Sequence, residues 1–273
     1  MVRFGISVPN FGDLANPGVL VDLAVRAEPA GWDGFFVWDH IVIGDGVAVG
    51  DPWVQLSAIA QATERILLGP MVTPLPRRRP WVVARQAATL DHLSGGRLIL
   101  GVGIGYPPET EFATFGEPTG DRVRADMLDE GLSILNGMWS GSAFSHTGDH
   151  YTVAETRFAP KPMQQPRIPI WVAAEWPNRR PLRRAARFDG AFPVKMDLSD
   201  WTPDEVAALT TMMRADRGDV SGFEIVVGGS FEAGRALADS YGEAGATWYL
   251  ASPDPDGTTD DLMATVAEGP GVS

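Results

Sequence analysis

The residue pair Asp39–His40 is the first place where the sequence offers proton-transfer chemistry. Both residues directly follow the apolar run "GFFVW" at 34–38, which is short and rich in aromatic residues, as a buried β-strand would be. An imidazole titrates near neutral pH, so His40 could donate or accept a proton during a reaction. The alternative is a structural histidine at the end of the strand.

A second candidate stretch, "LILGVGIGY" at 98–106, ends an apolar run in glycines and an aromatic hydroxyl. Gly103 and Gly105 would let a ligand approach the backbone closely. The Tyr106 hydroxyl is a second candidate proton donor, mainly in reductions, because a phenol keeps its proton at neutral pH. Both stretches predict one site only if the fold brings these strand ends together.

Eight short apolar runs recur along the chain and alternate with stretches of helical pattern. Nearly continuous apolar character is typical of strands that are buried on both faces of a parallel sheet. The runs are residues 4–8, 34–38, 66–72, 98–103, 168–174, 190–194, 224–229 and 247–252. The helical patterns lie at 17–30, 51–63, 80–93, 120–139, 179–188, 203–217 and 232–243. Eight such units predict an α/β fold, a single closed (β/α)8 TIM barrel over residues 1–273, with an open doubly wound sheet as the alternative.

Residues 140–169 interrupt this alternation. The segment is rich in proline and too short for a core of its own, so we expect an irregular insertion or a short hairpin before the fifth strand. After residue 253 the chain offers only a short helix, at about residues 259–268.

Composition excludes several classes of function. The chain has no cysteine, and its four histidines lack paired spacing, so we expect no metal centre. A net charge of −13 argues against nucleic acid or an anionic membrane as the partner. Without a long apolar run or a signal peptide, the expected location is the cytoplasm and the expected partner a small-molecule substrate.

In a barrel, the site lies at the carboxyl ends of the strands. Polar residues and glycines are concentrated just after the apolar runs. They are Asn10, Asp39, His40, Thr73, Gly103, Gly105, Tyr106, Glu175, Trp176, Lys195, Gly228, Gly229, Ser230 and Ser252. The sequence at 228–230 fits either a phosphate-binding turn or a plain strand-to-helix turn.

Five motifs, spread over four of the expected barrel units, belong together. They are "WDH" at 38–40, the segment 51–105 with "ILLGPMVTPLPRRRP" and "GGRLILGVGIG", "EF" at 111–112, "TGDHYTV" at 147–153 and "PKPMQQPRIPIWVAA" at 160–174. As a set they resemble the bacterial luciferase-like family of flavin- and deazaflavin (F420)-dependent oxidoreductases. The resemblance implies a (β/α)8 barrel with an insertion before the fifth strand.

The resemblance also implies a flavin or deazaflavin ring in the barrel mouth. The ring would be backed by a bulge after the third strand, at Met71, Val72 and Thr73, with a non-prolyl cis peptide bond between Met71 and Val72. Gly103 and Gly105 would let the ring and its side chain lie against the fourth strand.

By the same resemblance, the cofactor phosphate would meet backbone amides after the fifth strand, at Ala173, Ala174 and Glu175. The helix that starts near residue 178 would contribute its dipole, and Arg179 would add positive charge. Glu175 departs from the small residues that relatives often have at this place.

The catalytic residues implied are His40, close to the reactive edge of the ring, and Tyr106. The Asp39–His40 pair is more similar to deazaflavin-dependent members, so coenzyme F420 is the predicted cofactor and FMN the alternative. The run Arg77–Arg79 is expected to be an exposed basic cluster that could attract the F420 polyglutamate tail or an acidic substrate. The alternatives are a solvated rim and a contact across a subunit interface.

The predicted reaction is hydride transfer between F420 and a small, apolar or aromatic organic substrate. Sugar-phosphate oxidation is disfavoured, because relatives that perform it have Glu at the place of Tyr106 and a tryptophan that the loop 41–50 lacks. The alternatives are a monooxygenase that uses reduced FMN and a non-catalytic flavin-binding protein. A homodimer is expected, as is usual in the family.

Overall fold

The apolar runs form parallel strands, and the amphipathic stretches form helices around them. In the computed structural model, which describes residues 2–197 and 199–271, the strands are β1 (Arg3–Val8), β2 (Gly34–Val37), β3 (Leu67–Pro70), β4 (Thr73–Pro74), β5 (Leu100–Gly103), β6 (Ala143–Thr147), β7 (Thr152–Arg157), β8 (Ile170–Glu175), β9 (Gly190–Val194), β10 (Glu224–Ser230) and β11 (Trp248–Ser252). The α-helices are α1 (Pro17–Ala27), α2 (Pro52–Ala62), α3 (Pro80–Leu93), α4 (Pro108–Glu111), α5 (Asp121–Trp139), α6 (Arg179–Ala185), α7 (Pro203–Arg217), α8 (Phe231–Ala244) and α9 (Thr259–Ala267). None of these helices combines the length and apolar character needed to cross a membrane.

The strands follow one another around a barrel in the order β3-β2-β1-β11-β10-β9-β8-β5-β4, and neighbouring strands are parallel. The barrel closes between β3 and β5, where Leu68 N donates to Arg97 O at 3.1 Å and Ile99 N donates to Leu68 O at 2.9 Å. The peptide bond Met71–Val72 is cis, as predicted, and separates β3 from β4. These two short strands share one barrel position, so the (β/α)8 prediction is confirmed and the open sheet is not formed.

The insertion at 140–169 contains an antiparallel hairpin of β6 and β7. Glu130 on α5 holds its turn by accepting hydrogen bonds from the backbone N–H groups of Asp149, His150 and Tyr151, at 2.9–3.3 Å. The hairpin therefore rests on the outer helix layer and leaves the order of the barrel strands unchanged.

Alternate residues of the strands pack in two separate cores. One core lies between the strands and the helices. The other fills the inside of the barrel and consists of Phe36, Met71, Ile99, Trp171, Val226, Trp248 and Leu250. Gly190 leaves room for this aromatic filling, because a Cβ there would lie 3.0 Å from Trp171 Nε1. Side chains thus fill the inside of the barrel, and the site of such a fold is expected at the carboxyl ends of the strands.

Arg97 fastens the loop between α2 and β3 to the start of β5. Its buried guanidinium donates to the backbone oxygens of Ser94, Ala60, Thr63 and Ile66, at 2.7–3.0 Å, and also to Thr63 Oγ1 at 2.9 Å. Burial lowers the pKa of Arg97 from its ordinary value. These bonds fix the chain on both sides of the place where β3 and β5 close the barrel.

Replacement of Arg97 by methionine is expected to destabilise the fold by about 3 kcal/mol, since several buried carbonyl groups lose their donor. Thermal unfolding should then shift down by about 6–12 °C. Arg122→Met, at an exposed position on α5, is the matched control and should unfold near the parent temperature. Equal stability of the Arg97 variant would show that water replaces the guanidinium without cost.

Candidate active site

Asn10 holds the backbone of His40 at the carboxyl end of β2. The Asn10 side chain is fully buried; its Oδ1 accepts from His40 N at 3.1 Å, and its Nδ2 donates to His40 O at 2.8 Å and Gly50 O at 2.7 Å. One amide therefore joins the ends of β1 and β2 to the far end of the loop 41–50. The rim around His40 is fixed by hydrogen bonds rather than by a regular strand.

Two aromatic rings surround the imidazole of His40. The ring centres of Phe11 and Trp38 lie 5.7 Å and 6.1 Å from that of His40. Trp38 is oriented by its Nε1, which donates to Ser7 Oγ at 3.0 Å. This apolar wall shields one side of the imidazole from water and favours an apolar group beside it.

Asp39 points away from the mouth into a buried ionic cluster. Its carboxylate accepts from Thr73 Oγ1, Arg77 Nη2 and Arg78 Nη2, each at 2.8 Å. The carboxylate is 1% exposed, so all of its interactions are with the protein itself. Asp39 thus joins β2 to the segment after β4 and does not present its side chain to a ligand.

Glu111, the last residue of the short helix α4, completes this cluster. Its carboxylate accepts from Ile41 N at 3.2 Å and Val42 N at 3.3 Å, forms an ion pair with Arg77 Nη1, and has its Oε1 3.2 Å from His40 Nδ1. In the sequence, Glu111 is recognisable only as part of the motif "EF" at 111–112, and no role was predicted for it. The sequence signal that could have indicated a role is the position of this glutamate, a few residues after Gly105.

The pKa of His40 is lowered from its ordinary value. Burial of the ring is the main cause, the positive charge of Arg77 adds to it, and the negative charge of Asp39 opposes it. A lowered pKa favours the neutral imidazole, which suits a group that accepts a proton.

The predicted exposed basic cluster at Arg77–Arg79 is wrong for two of its three residues. The side chains of Arg77 and Arg78 are 6% and 20% exposed, and both pair with Asp39. The 3₁₀ turn Leu75–Arg77 directs them inward, where Asp39 and Glu111 balance their charge. Arg79 alone is exposed, with its guanidinium 6.0 Å from the centre of the Trp81 ring.

The ends of β4, β5 and β8 meet through small side chains. A Cβ on Gly103 would lie 3.1 Å from Val72 Cγ2 and 3.3 Å from Ala173 Cβ. Val72 and Ala173 are partly exposed, whereas Met71 and Thr73 are buried and Thr73 serves Asp39. Val72, Gly103 and Ala173 thus form a surface of small residues, partly exposed at Val72 and Ala173.

The packing of the chain explains why position 105 is a glycine. Its φ angle is +86°, and a Cβ there would lie 2.7 Å from the Phe112 ring and 2.9 Å from Pro74 Cβ. Arg124, which is fully buried, donates to the backbone oxygens of Ile104 and Gly105. Internal packing alone thus requires the glycine at position 105.

The residues expected near a cofactor phosphate lie on different faces of β8. Ala174 belongs to the core between strands and helices, while Glu175 is exposed at the strand end. The guanidinium of Arg179 forms an ion pair with Asp216 on α7 at 3.1 Å. Positive charge on α6 is therefore already compensated by neighbouring helices.

Tyr106 follows β5 with its side chain 63% exposed. Its hydroxyl makes no hydrogen bond to any residue of the ranges 2–197 and 199–271. The tyrosine is thus free to turn towards a ligand at the rim, but no contact fixes it there.

The late turn at 228–230 is filled by a carboxylate from the chain itself. Asp200 accepts from Ser230 N at 2.8 Å and Ser230 Oγ at 3.1 Å, and Ser230 Oγ also caps the first turn of α8. A Cβ on Gly229 would overlap Asp200 Oδ1. Of the two interpretations of this sequence, the plain strand-to-helix turn matches the contacts.

Lys195, which follows β9, is also compensated within the protein. Its Nζ donates to Glu205 Oε2 and to Asp200 O, both at 3.0 Å. Its Nζ lies 5.7 Å from the centre of the Trp201 ring, whose centre is 5.3 Å from that of Trp176. The mouth thus combines aromatic surface with cations that already have internal partners.

Comparison with known proteins shows the family of this chain. The sequence model of the luciferase-like monooxygenases matches residues 2–249, which is most of the chain. The chain belongs to the luciferase-like monooxygenase family. The resemblance inferred from the five motifs is therefore confirmed, and it extends beyond residue 195.

Among curated members of this luciferase-like family, an F420-dependent glucose-6-phosphate dehydrogenase of Microbacterium testaceum is 33% identical over 181 residues. The match covers 64% of this chain and 52% of that protein, so the chain spans about half the length of such relatives.

Two solved structures share the fold at low sequence identity. One, an F420-dependent secondary alcohol dehydrogenase in complex with an F420-acetone adduct, has a TM-score of 0.80 at 19% identity and covers 98% of this chain and 97% of its own. The other, the monooxygenase RslO1 from Streptomyces bottropensis, has a TM-score of 0.79 at 20% identity and covers 97% of this chain and 96% of its own.

Proposed function

We propose that this protein is an oxidoreductase that transfers a hydride between coenzyme F420 and a small uncharged organic substrate. The observation that carries the proposal is the partly buried His40, paired through Nδ1 with Glu111, at a rim whose neighbouring strands present small side chains. The F420 dependence of the curated dehydrogenase and of the alcohol dehydrogenase structure supports the choice of cofactor.

The cofactor would lie on Val72, Gly103 and Ala173, with backbone amides near Glu175 closest to its phosphate. When bound, F420 accepts or releases the hydride. His40 accepts the hydroxyl proton at Nε2 when an alcohol is oxidised, and returns it when a carbonyl is reduced. Phe11 and Trp38 exclude water from one side of the imidazole. Carbonyl reduction takes up a single proton, so Tyr106 would be the alternative donor to His40 rather than an additional one.

The charges at the mouth favour an uncharged substrate. A phosphate would have to displace Asp39 from Arg77 and Arg78, or Glu205 from Lys195, because these carboxylates already form ion pairs with the cations. The aromatic surface of Phe11, Trp38 and Trp176 suits an apolar or aromatic group. We therefore infer small alcohols and their carbonyl products rather than the sugar phosphate oxidised by the curated relative.

The pH profile is expected to differ between the two directions. Because the pKa of His40 is lowered, alcohol oxidation should continue at pH values low enough to protonate an ordinary imidazole. It should decline only when the pH falls through the lowered pKa. Carbonyl reduction needs the protonated ring, so it should decline as the pH rises through the same value. Profiles of kcat/KM in both directions check this; parallel profiles would remove His40 from the proton transfer.

A monooxygenase that uses reduced FMN is the second candidate, because RslO1 matches the fold almost as well as the alcohol dehydrogenase. The deciding experiment titrates the protein with F420 and FMN, each oxidised and reduced, and follows the fluorescence of its nine tryptophans. Tight binding of F420, followed by its reduction with 2-propanol or benzyl alcohol but not with glucose 6-phosphate, supports the proposal. Preference for reduced FMN supports the monooxygenase, and binding of neither supports a non-catalytic protein.

We also propose a homodimer. Val54 on α2 and Val82 on α3 are exposed apolar side chains on the outer helix layer, where a second copy could pack. Light scattering during size-exclusion chromatography should give twice the mass of the chain. The mass of a single chain would contradict the proposal.

A further inference from the structure

The hydrogen bonds of His40 distinguish its two ring nitrogens. Nδ1 lies 3.2 Å from Glu111 Oε1, and Nε2 has no partner among the residues that the structure describes. A carboxylate can only accept, so a neutral imidazole paired with it carries its proton on Nδ1. The lone pair of Nε2 is then available to a hydroxyl group.

The carboxyl group of Glu111 is surrounded by hydrogen-bond donors. It is fully buried, and its neighbours are all donors: Arg77, His40 and the backbone N–H groups of Ile41 and Val42. Arg77 also binds Asp39, so one guanidinium orients the carboxylates on either side of His40. Arg78 adds its charge through Asp39, and the remaining neighbours of the ring, Phe11 and Trp38, are without formal charge.

We propose that Glu111 is a positioning residue that keeps His40 in the Nδ1–H tautomer with Nε2 free for the proton of the substrate. The inference rests on the proposed function for its catalytic consequence. In alcohol oxidation, the O–H bond breaks and its proton forms the Nε2–H bond. The C–H bond of the carbon that bears the hydroxyl would break at the same time, its electron pair leaving as hydride to bound F420 while the C=O bond forms. The imidazolium so formed keeps its Nδ1–H donated to Glu111, whose negative charge stabilises it.

The tautomer can be measured without cofactor or substrate. The chain has four histidines, so a two-dimensional ¹H–¹⁵N spectrum of the imidazoles has few signals, and His40→Ala identifies the one in question. In the parent protein, we expect His40 to be protonated at Nδ1 at neutral pH. An Nε2–H tautomer in the parent protein would overturn the proposal, whatever the cofactor proves to be.

Glu111→Gln tests the consequence. Gln removes the charge and brings an NH₂ group among donors, so the His40 signal should move towards the Nε2–H form. Turnover should fall about 100-fold, while the Kd for F420 changes less than about threefold. Glu109→Gln, an exposed glutamate on the same short helix, is the matched control and should leave the tautomer and turnover unchanged.

A second variant covers the case in which Glu111→Gln fails to fold because Arg77 loses its partner. Glu111→Asp keeps the charge beside Arg77 but shortens the reach to His40, so the Nδ1–H population and kcat should both fall. A folded variant of either kind with an unchanged tautomer and turnover within twofold of the parent would overturn the proposal. Absence of any F420-dependent turnover in the parent would contradict the proposed function, and the tautomer measurement would still decide the role of Glu111.

Discussion

Alanine in place of His40 is expected to lower turnover by about 10²–10⁴-fold, the usual contribution of a general acid or base. The affinity for F420 should stay within a few-fold, because the small surface of Val72, Gly103 and Ala173 does not include the imidazole. The fold should also persist, since Asn10 binds the backbone of His40 rather than its side chain. The measurements are kcat from the absorbance of F420 and Kd from tryptophan quenching.

Two controls distinguish the loss of proton transfer by His40 from a general disturbance of the structure. His92→Ala removes an exposed histidine at the end of α3, whose Nε2 lies 2.9 Å from Lys161 O, and should leave kcat unchanged. Added imidazole should restore part of the activity of the His40 variant if the missing group is a proton acceptor. Turnover equal to that of the parent protein would mean that another group moves the proton.

The barrel could be predicted from the sequence because its strands are buried on both faces. A strand such as Gly190–Val194 must then be apolar throughout, and a helix such as Pro203–Arg217 shows its own period, so both sets of bounds match the prediction. The position of His40 followed from the same reasoning, since barrel sites lie at the carboxyl ends of strands.

The partners of the site residues could not be predicted in this way. Glu111 lies 71 positions from His40, and nothing local in "PPETEF" indicates that its carboxylate meets an imidazole. The run of arginines at 77–79 shows the same limit: charge runs are usually solvated, but here buried Asp39 and Glu111 draw two of the three inward. Such contacts depend on how distant elements pack, which a single sequence does not encode locally.

The glycines of the rim were ambiguous for a different reason. The same residue type is required where a ligand approaches and where another part of the chain does. Gly103 lies at the small surface proposed for the ring, whereas Gly105 is required by Phe112 and its positive φ angle. Only the packing of neighbours separates these two uses.

Among the glycines that the structure describes, Gly69 leaves the least room for a Cβ, and its replacement by alanine is expected to destabilise the barrel at least as much as the loss of Arg97. It lies in β3 opposite the start of β5, and a Cβ there would overlap the backbone oxygen of Ile99. A backbone atom cannot rotate away, so the two strands must separate and lose the hydrogen bonds of Leu68. The expected cost is at least about 3 kcal/mol, or roughly 6–12 °C in Tm.

Gly44→Ala is the matched control, since a Cβ there would be 3.6 Å from Val47 Cγ2 in an exposed loop. It should unfold within about 2 °C of the parent protein. Separation of β3 from β5 would also move Val72 away from Gly103, so any folded Gly69→Ala protein should bind F420 more weakly. A Tm and an F420 affinity equal to those of the parent protein would show that neither stability nor cofactor binding depends on the close contact between β3 and β5.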